Sequence, residues 1–235
     1  MGYMERHFRR VQAAKQAATA AAPQATAAEV EGRTQYERML LLLDTHQQQL
    51  RNLQSMEARA EHKAKLLPEY DAYLSGLIAA GTSPQDDVLV TLMLWHFDCA
   101  LIARALDLAA VALGNNMVMP QQHKRTLPTV VVEETADLML AGKGIETPLQ
   151  ALEFGAYAGK IVGDADMPDQ VRAKLCKAMG RASVAAEISP DETLQVFKRA
   201  LELDKNAGVK KDIEQLERAI KNAAKQAEAG EEGAG

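Results

Sequence analysis

The stretch Thr82-Ser-Pro-Gln-Asp-Asp-Val-Leu-Val-Thr-Leu-Met-Leu-Trp-His-Phe-Asp98, with the alanine-rich run over residues 100–113 that follows it, decides the fold. Its opening reads as a helix start. Ser83 is placed to cap, Pro84 suits a first turn, and Asp86 and Asp87 stand where the positive end of the helix dipole favours carboxylates. Residues 88–97 are apolar nearly all round, which predicts a helix buried on several sides, with Trp95 and His96 inside the core or an interface. Over 100–113, Ala103, Ala105, Ala109, Ala110 and Ala112 alternate with leucines, and small residues on one face let two helices approach closely. Gly114-Asn-Asn and Pro120 end the second helix. Helix, tight turn, alanine-rich helix and terminator give the cadence of a tetratricopeptide-like hairpin.

A second unit of this kind is predicted near the end of the chain. Its first helix covers residues 168–186, Ser189-Pro-Asp-Glu has the form of a capping box, and Val196-Phe-Lys-Arg-Ala-Leu-Glu-Leu-Asp carries the second helix. A last helix over 209–226 shows Ile213, Leu216 and Ile220 as its apolar stripe. Thr147-Pro-Leu-Gln caps another helix at 148–162. The β-branched run Thr129-Val-Val-Val is the one strand-like stretch, but it continues into Thr135-Ala-Asp-Leu-Met-Leu and would have no partner strand, so it is read as a helix start.

Upstream, Tyr36, Met39, Leu40, Leu43, Leu50, Leu53 and Ala60 recur at helical spacing over residues 34–67. They predict one helix of about 30 residues, or about 45 Å. His46 and Glu57 interrupt its seam, which suits a helix packed in an oligomer better than a free two-stranded zipper. Pro68 ends or kinks this helix, and a shorter one follows as far as Gly81. The expected fold class is therefore all-α, with a long oligomerisation helix followed by a helical array with tetratricopeptide-like hairpins. The expected divisions are a basic, partly disordered arm (1–33), a helical oligomerisation region (34–81), a repeat-like domain (82–226) and a disordered tail (227–235).

Composition supports this class. Aromatic residues make up 4% of the 235 residues, too few bulky β-formers for a sandwich or barrel. Cys99 and Cys176 are far apart and have no His or Cys at metal-ligand spacing, so neither a disulfide framework nor a zinc site is expected. The first ten residues lack the apolar segment of a secretory leader, and no apolar run approaches the roughly 18 residues that would span a membrane.

Chemistry is sparse. There is no Walker-type phosphate loop and no dinucleotide fingerprint, so no cofactor is expected. The five histidines fall in separate segments, and no metal is assigned. Asp86-Asp87, Glu133-Glu134 and Asp164-x-Asp166 are the carboxylate pairs that could hold a nuclease metal, yet helix starts and a turn account for them structurally. Glu61-His-Lys63 has the shape of a nuclease element but lies on a long helix and reads as a solvated face.

Net charge is −5, from 27 Lys+Arg against 32 Asp+Glu, and by itself argues against a polyanionic partner. Local charge argues the other way. Arg6, Arg9, Arg10 and Lys15 face the single acid Glu5 in the first sixteen residues, and His123-Lys124-Arg125 forms a second basic group. Each could neutralise a few phosphates, and repetition in an oligomer would multiply the effect. An amphipathic first helix remains the alternative for the arm, and a solvated turn for the loop.

Several stretches resemble a known family: Tyr36-Glu-Arg-Met-Leu, Leu66-Leu-Pro-Glu-Tyr, Gln85-Asp-Asp-Val-Leu-Val-Thr-Leu-Met-Leu-Trp95, Met119-Pro-Gln-Gln-His-Lys-Arg-Thr, Ala165-Asp-Met-Pro-Asp-Gln-Val-Arg-Ala-Lys-Leu and Asn206-Ala-Gly-Val-Lys-Lys. Together they resemble the terminase small subunit of temperate tailed phages, the GpM-type family also called the terminase endonuclease subunit. The resemblance implies a homo-oligomeric ring that binds the packaging (cos-type) site on double-stranded viral DNA. It implies delivery of that site to a large ATPase and nuclease subunit, in the cytoplasm of the infected bacterial host. No catalytic residues carry over, and the acidic C-terminus shifts the expected DNA contacts to the N-terminal arm. Two rival functions stand beside it: an intrinsic metal-dependent endonuclease using the acidic pairs, and a helical-repeat adaptor that binds only protein.

Overall fold

The computed structural model describes residues 25–121 and 123–232, and these form ten α-helices and one 3₁₀ turn, with no strand among them. In chain order the helices are α1 (Ala25–Arg51), α2 (Met56–Leu66), α3 (Asp71–Ala80), α4 (Asp87–Asp98), α5 (Ile102–Gly114), α6 (Leu127–Ala141), α7 (Pro148–Val162), α8 (Asp169–Ala185), α9 (Pro190–Leu203) and α10 (Lys210–Glu232). The all-helical class matches the expectation.

The long helix expected over 34–67 is two helices. It breaks at Asn52–Ser55, where the Ser55 side chain accepts a hydrogen bond from the Ala58 N–H at 3.3 Å and so starts α2. A serine beside unpaired first-turn N–H groups competes with continuation of the helix, and here the cap wins. α1 also begins at Ala25, inside the stretch assigned to the arm, as the helix propensity of its alanines allows. Pro68 does change the helix: Leu67–Tyr70 tightens to a 3₁₀ turn, α3 follows, and Gly81 ends it at φ 67°, a left-handed conformation that glycine adopts without a Cβ clash.

α4 starts later than Ser83 and Pro84 suggest. Its cap is Asp86, whose Oδ1 accepts from the Leu89 N–H at 2.8 Å while Oδ2 accepts from the Tyr73 hydroxyl. Ser83 is held differently: its N–H donates to Asn115 Oδ1 at 3.2 Å, and Asn115 Nδ2 donates to the Gly81 carbonyl at 3.1 Å. The end of α5 thus clamps the loop that precedes α4. A carboxylate accepts at two separate oxygens, here one for the Leu89 N–H and one for the Tyr73 hydroxyl, where a serine has a single oxygen, which moves the start to Asp86.

The apolar run of α4 is buried as expected: Val88, Leu89, Val90, Leu92 and Met93 are fully inside, with α5 packed alongside. Val130, Val131 and Val132 lie buried in α6, so the β-branched run is helical, with Pro128 in its first turn. Thr147 caps α7 by accepting from the Gln150 N–H at 3.2 Å. Ser189 precedes α9 but makes no side-chain cap bond, so the expected capping box does not form; Pro190 presets the first turn instead.

α6 and α7 both pack on α8, α7 also meets α5, and α8 packs against α9. One continuous core runs from Leu43 and Leu50 of α1 through α4 and α5 to Ala178 of α8. Phe197, Ala200 and Val209 form a smaller one, covered by Cys176, Ile213 and Leu216. Both cysteines are free and half-buried, and burial raises their thiol pKa.

His96 is buried in α4, as expected, and its Nδ1–H donates to the Leu92 carbonyl at 2.7 Å. Burial pushes the imidazole pKa below its usual value of 6.5. A group whose protonated form is disfavoured by folding contributes its full stability above the unfolded pKa. As pH falls through 6.5 the unfolded chain takes up the proton first, and stability drops until the lower folded pKa is passed. Urea midpoints measured from about pH 7.5 to about pH 5 should therefore fall more steeply in the wild type than in His96→Asn, which keeps a donor but cannot titrate. Parallel curves would show that His96 does not drive the loss.

Candidate nucleic-acid interface

Arg6, Arg9, Arg10 and Lys15 lie outside the described residues. The second basic group, His123-Lys124-Arg125, precedes α6, and all three side chains are exposed. The three have different surroundings. Arg125 is engaged: its Nη1 donates to Glu133 Oε2, and its Nη2 lies 3.8 Å from Glu134 Oε1. Lys174 of α8 joins the network from the other side, 3.4 Å from Glu133 and 3.1 Å from Asp137. Burial would raise the Glu133 pKa, but the Arg125 hydrogen bond and charge, with Lys174, outweigh it and hold the carboxyl below its usual range. Burial shifts the Glu134 carboxyl upward, only partly offset by Arg125.

Two of the acidic pairs thus have structural partners. Glu133 and Glu134 tie the basic loop to α6 and α8, and Asp86 caps α4. Around Asp164 and Asp166 the turn is held by Arg172, which donates to the carbonyls of Gly163 at 3.2 Å and Ala165 at 2.6 Å. Among the described residues no group of three His, Cys, Asp or Glu side chains is placed to hold a metal ion.

His123 lines a groove of about 250 Å³ formed by the end of α1, α2 and α4. Arg51, Arg59 and Lys63 line the same groove from α1 and α2, and Trp95 and Asp98 line it from α4. Lys63 pairs with Asp98, and its Nζ stands 5.7 Å from the centre of the Trp95 ring, a cation–π contact. With its side chain only 13% exposed, Lys63 is an anchored groove residue, and the expected solvated face is corrected. Arg51, Arg59 and His123 have no ion pair or side-chain hydrogen bond among the described residues, and the Arg59 Nε is shielded from solvent without a partner. An unpaired, shielded donor of this kind costs about 1–3 kcal/mol.

Sequence reasoning found His123 but missed Arg51 and Arg59. Arg59 and Lys63 share one face of α2 at i, i+4 spacing, which was the available signal. Arg51 joins them only because the chain turns at Asn52–Ser55.

A family model described as phage small terminase subunit matches residues 40–170, more than half of the chain. The chain belongs to the phage small terminase subunit family, which gives it a role in phage DNA packaging. Among its relatives, it is 40% identical to the terminase endonuclease subunit of Escherichia phage P2 over 223 residues, covering 92% of this chain and 85% of the relative. It is 30% identical to a probable terminase endonuclease subunit of Haemophilus phage HP1 (strain HP1c1) over 161 residues, covering 64% of this chain and 57% of that protein. No solved structure matches. Among the described residues no helix is long and apolar enough to cross a membrane.

Proposed function

We propose that this chain is the DNA-recognition subunit of a packaging terminase. It binds the cos-type packaging site on double-stranded viral DNA and delivers that site to the large subunit that carries the ATPase and nuclease, in the cytoplasm of the infected host. Family membership is the observation that carries this reading, and the exposed His123 and Lys124 are consistent with it. The DNA contacts are Arg6, Arg9, Arg10 and Lys15 of the arm, with His123, Lys124 and Arg125. Of the loop residues, Arg125 acts mainly by fixing the loop, because its charge is already shared with Glu133 and Glu134. The subunit works as a homo-oligomeric ring in which residues 34–81 supply subunit contacts, residues 82–226 form the adaptor domain, and residues 1–33 and 227–235 are the arm and tail. The α4/α5 and α8/α9 pairs serve as its tetratricopeptide-like hairpins.

The test is duplex binding as a function of salt. Changing Arg6, Arg9, Arg10 and Lys15 to alanine should weaken binding to packaging-site DNA and flatten the plot of log affinity against log salt by about 0.9 per lost phosphate contact. Unchanged affinity and slope would remove the arm from the interface. The names of both relatives favour a second reading, an intrinsic metal-dependent endonuclease. Nicking of a plasmid by the purified chain in Mg²⁺, without a large subunit, would support it.

A further inference from the structure

We propose that the groove lined by Arg51, Arg59, Lys63 and His123 is a second DNA contact, binding the phosphate backbone of a duplex. This rests on the reading of the chain as a DNA-binding terminase subunit. None of the residues Arg51, Arg59 and Lys63 belongs to the arm or the basic loop.

Three cationic side chains come from two helices that the break at Asn52–Ser55 folds towards each other, and His123 reaches the same groove from the loop that precedes α6. Asp98 is the one acid among the lining residues, and it is taken by Lys63. Glu57 and Glu61, also on α2, are exposed and do not line the groove. Two guanidinium groups are therefore gathered at one concave surface without an acidic partner among the described residues. Like charges brought together this way repel, and the Arg59 Nε is in addition cut off from water. An anion in the groove relieves the repulsion, and guanidinium is suited to phosphate because its planar donors pair with two oxygens at once.

The anion is a duplex backbone and not a single strand. Single-strand sites present aromatic faces on which bases stack. Trp95, the one Phe, Tyr or Trp ring lining this groove, is 5% exposed, with Lys63 above it and Tyr70 against it edge-on at 6.4 Å. No Phe, Tyr or Trp ring lining the groove is open to a base, and the exposed imidazole of His123 is its one open ring. The groove is also continuous with the basic loop, since His123 belongs to both, so a backbone lying along Lys124 and His123 can run on to Arg51 and Arg59.

Fluorescence anisotropy of the full chain with labelled duplexes tests this, comparing the wild type with Arg51→Gln, Arg51→Gln/Arg59→Gln and Arg51→Lys/Arg59→Lys. Each glutamine should flatten the salt slope by about 0.9 and weaken binding about tenfold near 0.1 M salt. The loss should be equal on packaging-site and unrelated duplexes, since phosphate contacts carry no sequence information. The double lysine variant, which keeps the charge, should recover most of the slope. Arg51 is exposed, so its single variant reports on the groove even if loss of Arg59 disturbs folding. Wild-type slopes in the glutamine variants, with the wild type binding duplex normally, would overturn the groove and leave the functional reading intact. In that case the cations would be left for an acidic protein surface. A wild type that binds no duplex at about 50 mM salt would overturn both.

Discussion

Phe197→Ala is expected to lower the unfolding free energy by about 3–5 kcal/mol and to loosen α9 and α10 from the rest of the molecule. The Phe197 ring is fully buried and rests on the bare face of Gly180 in α8: a Cβ at Gly180 would lie 2.6 Å from ring carbon Cε1. Removal of the ring leaves a void between α8 and α9 that rigid helices close only partly. Position makes the effect larger. Phe197 shares its small core with Ala200 and Val209, whereas the large core from Leu43 to Ala178 includes no residue of α9 or α10. The ring is by far the largest apolar group holding α9 and α10 in place. Urea unfolding followed by circular dichroism should show an early partial loss of helix in the variant, with the main transition near its wild-type midpoint. A single transition at the wild-type midpoint would contradict this division of the core. DNA binding below the early transition should be retained, because the groove residues stand on α1, α2, α4 and the loop before α6.

Gly144→Ala is the second large effect. Gly144 has φ +69°, where an alanine costs about 1–2 kcal/mol. A Cβ there would also lie 2.0 Å from the Ala100 carbonyl oxygen, a distance that only movement of the 99–101 turn or of the 142–147 loop can relieve. Displacing packed backbone adds about 1–3 kcal/mol. Gly142 supplies the control, because it has φ +63° but nothing within 4 Å of the point where an alanine methyl would stand. Gly142→Ala should carry the backbone cost alone, and Gly144→Ala roughly twice as much or more, in thermal or urea unfolding. Equal effects would mean that the close approach of the two loops contributes nothing. Ala100 itself has φ +56°, so both partners in this contact occupy the left-handed region and hold the α4–α5 turn against the loop before α7.

The helical class was legible because its signals are local. An apolar run with a polar start, Gly81 after α3, Pro68 at the kink and Thr147 before α7 act within one or two turns of backbone, so their outcome needs no distant partner. The β-branched run at Thr129 was legible for a related reason: a strand needs a neighbour to accept its hydrogen bonds, and no second strand-like stretch exists. The features read wrongly involve competition. Ser83 and Asp86 are both good caps, and the choice fell to Asp86 because Tyr73, on another helix, supplies a second hydrogen bond. Ser189 has the residues of a capping box, but the bond is not made.

The candidate site divides along the same line. Basic residues at His123, Lys124 and Arg125 were visible as a cluster, and the family resemblance was carried by contiguous stretches, both of which are properties of the chain as written. What became of each charge was not visible. Arg125 is neutralised by Glu133 and Glu134, Lys63 by Asp98, and Arg51 and Arg59 by nothing among the described residues. The sequence by itself determined an all-helical member of a packaging family, because propensity, caps and contiguous motifs act at short range. Only the tertiary structure decided which cations are spent on internal pairs and which are gathered unpaired in one groove, because an ion pair depends on distances of a few ångströms between residues far apart in the chain.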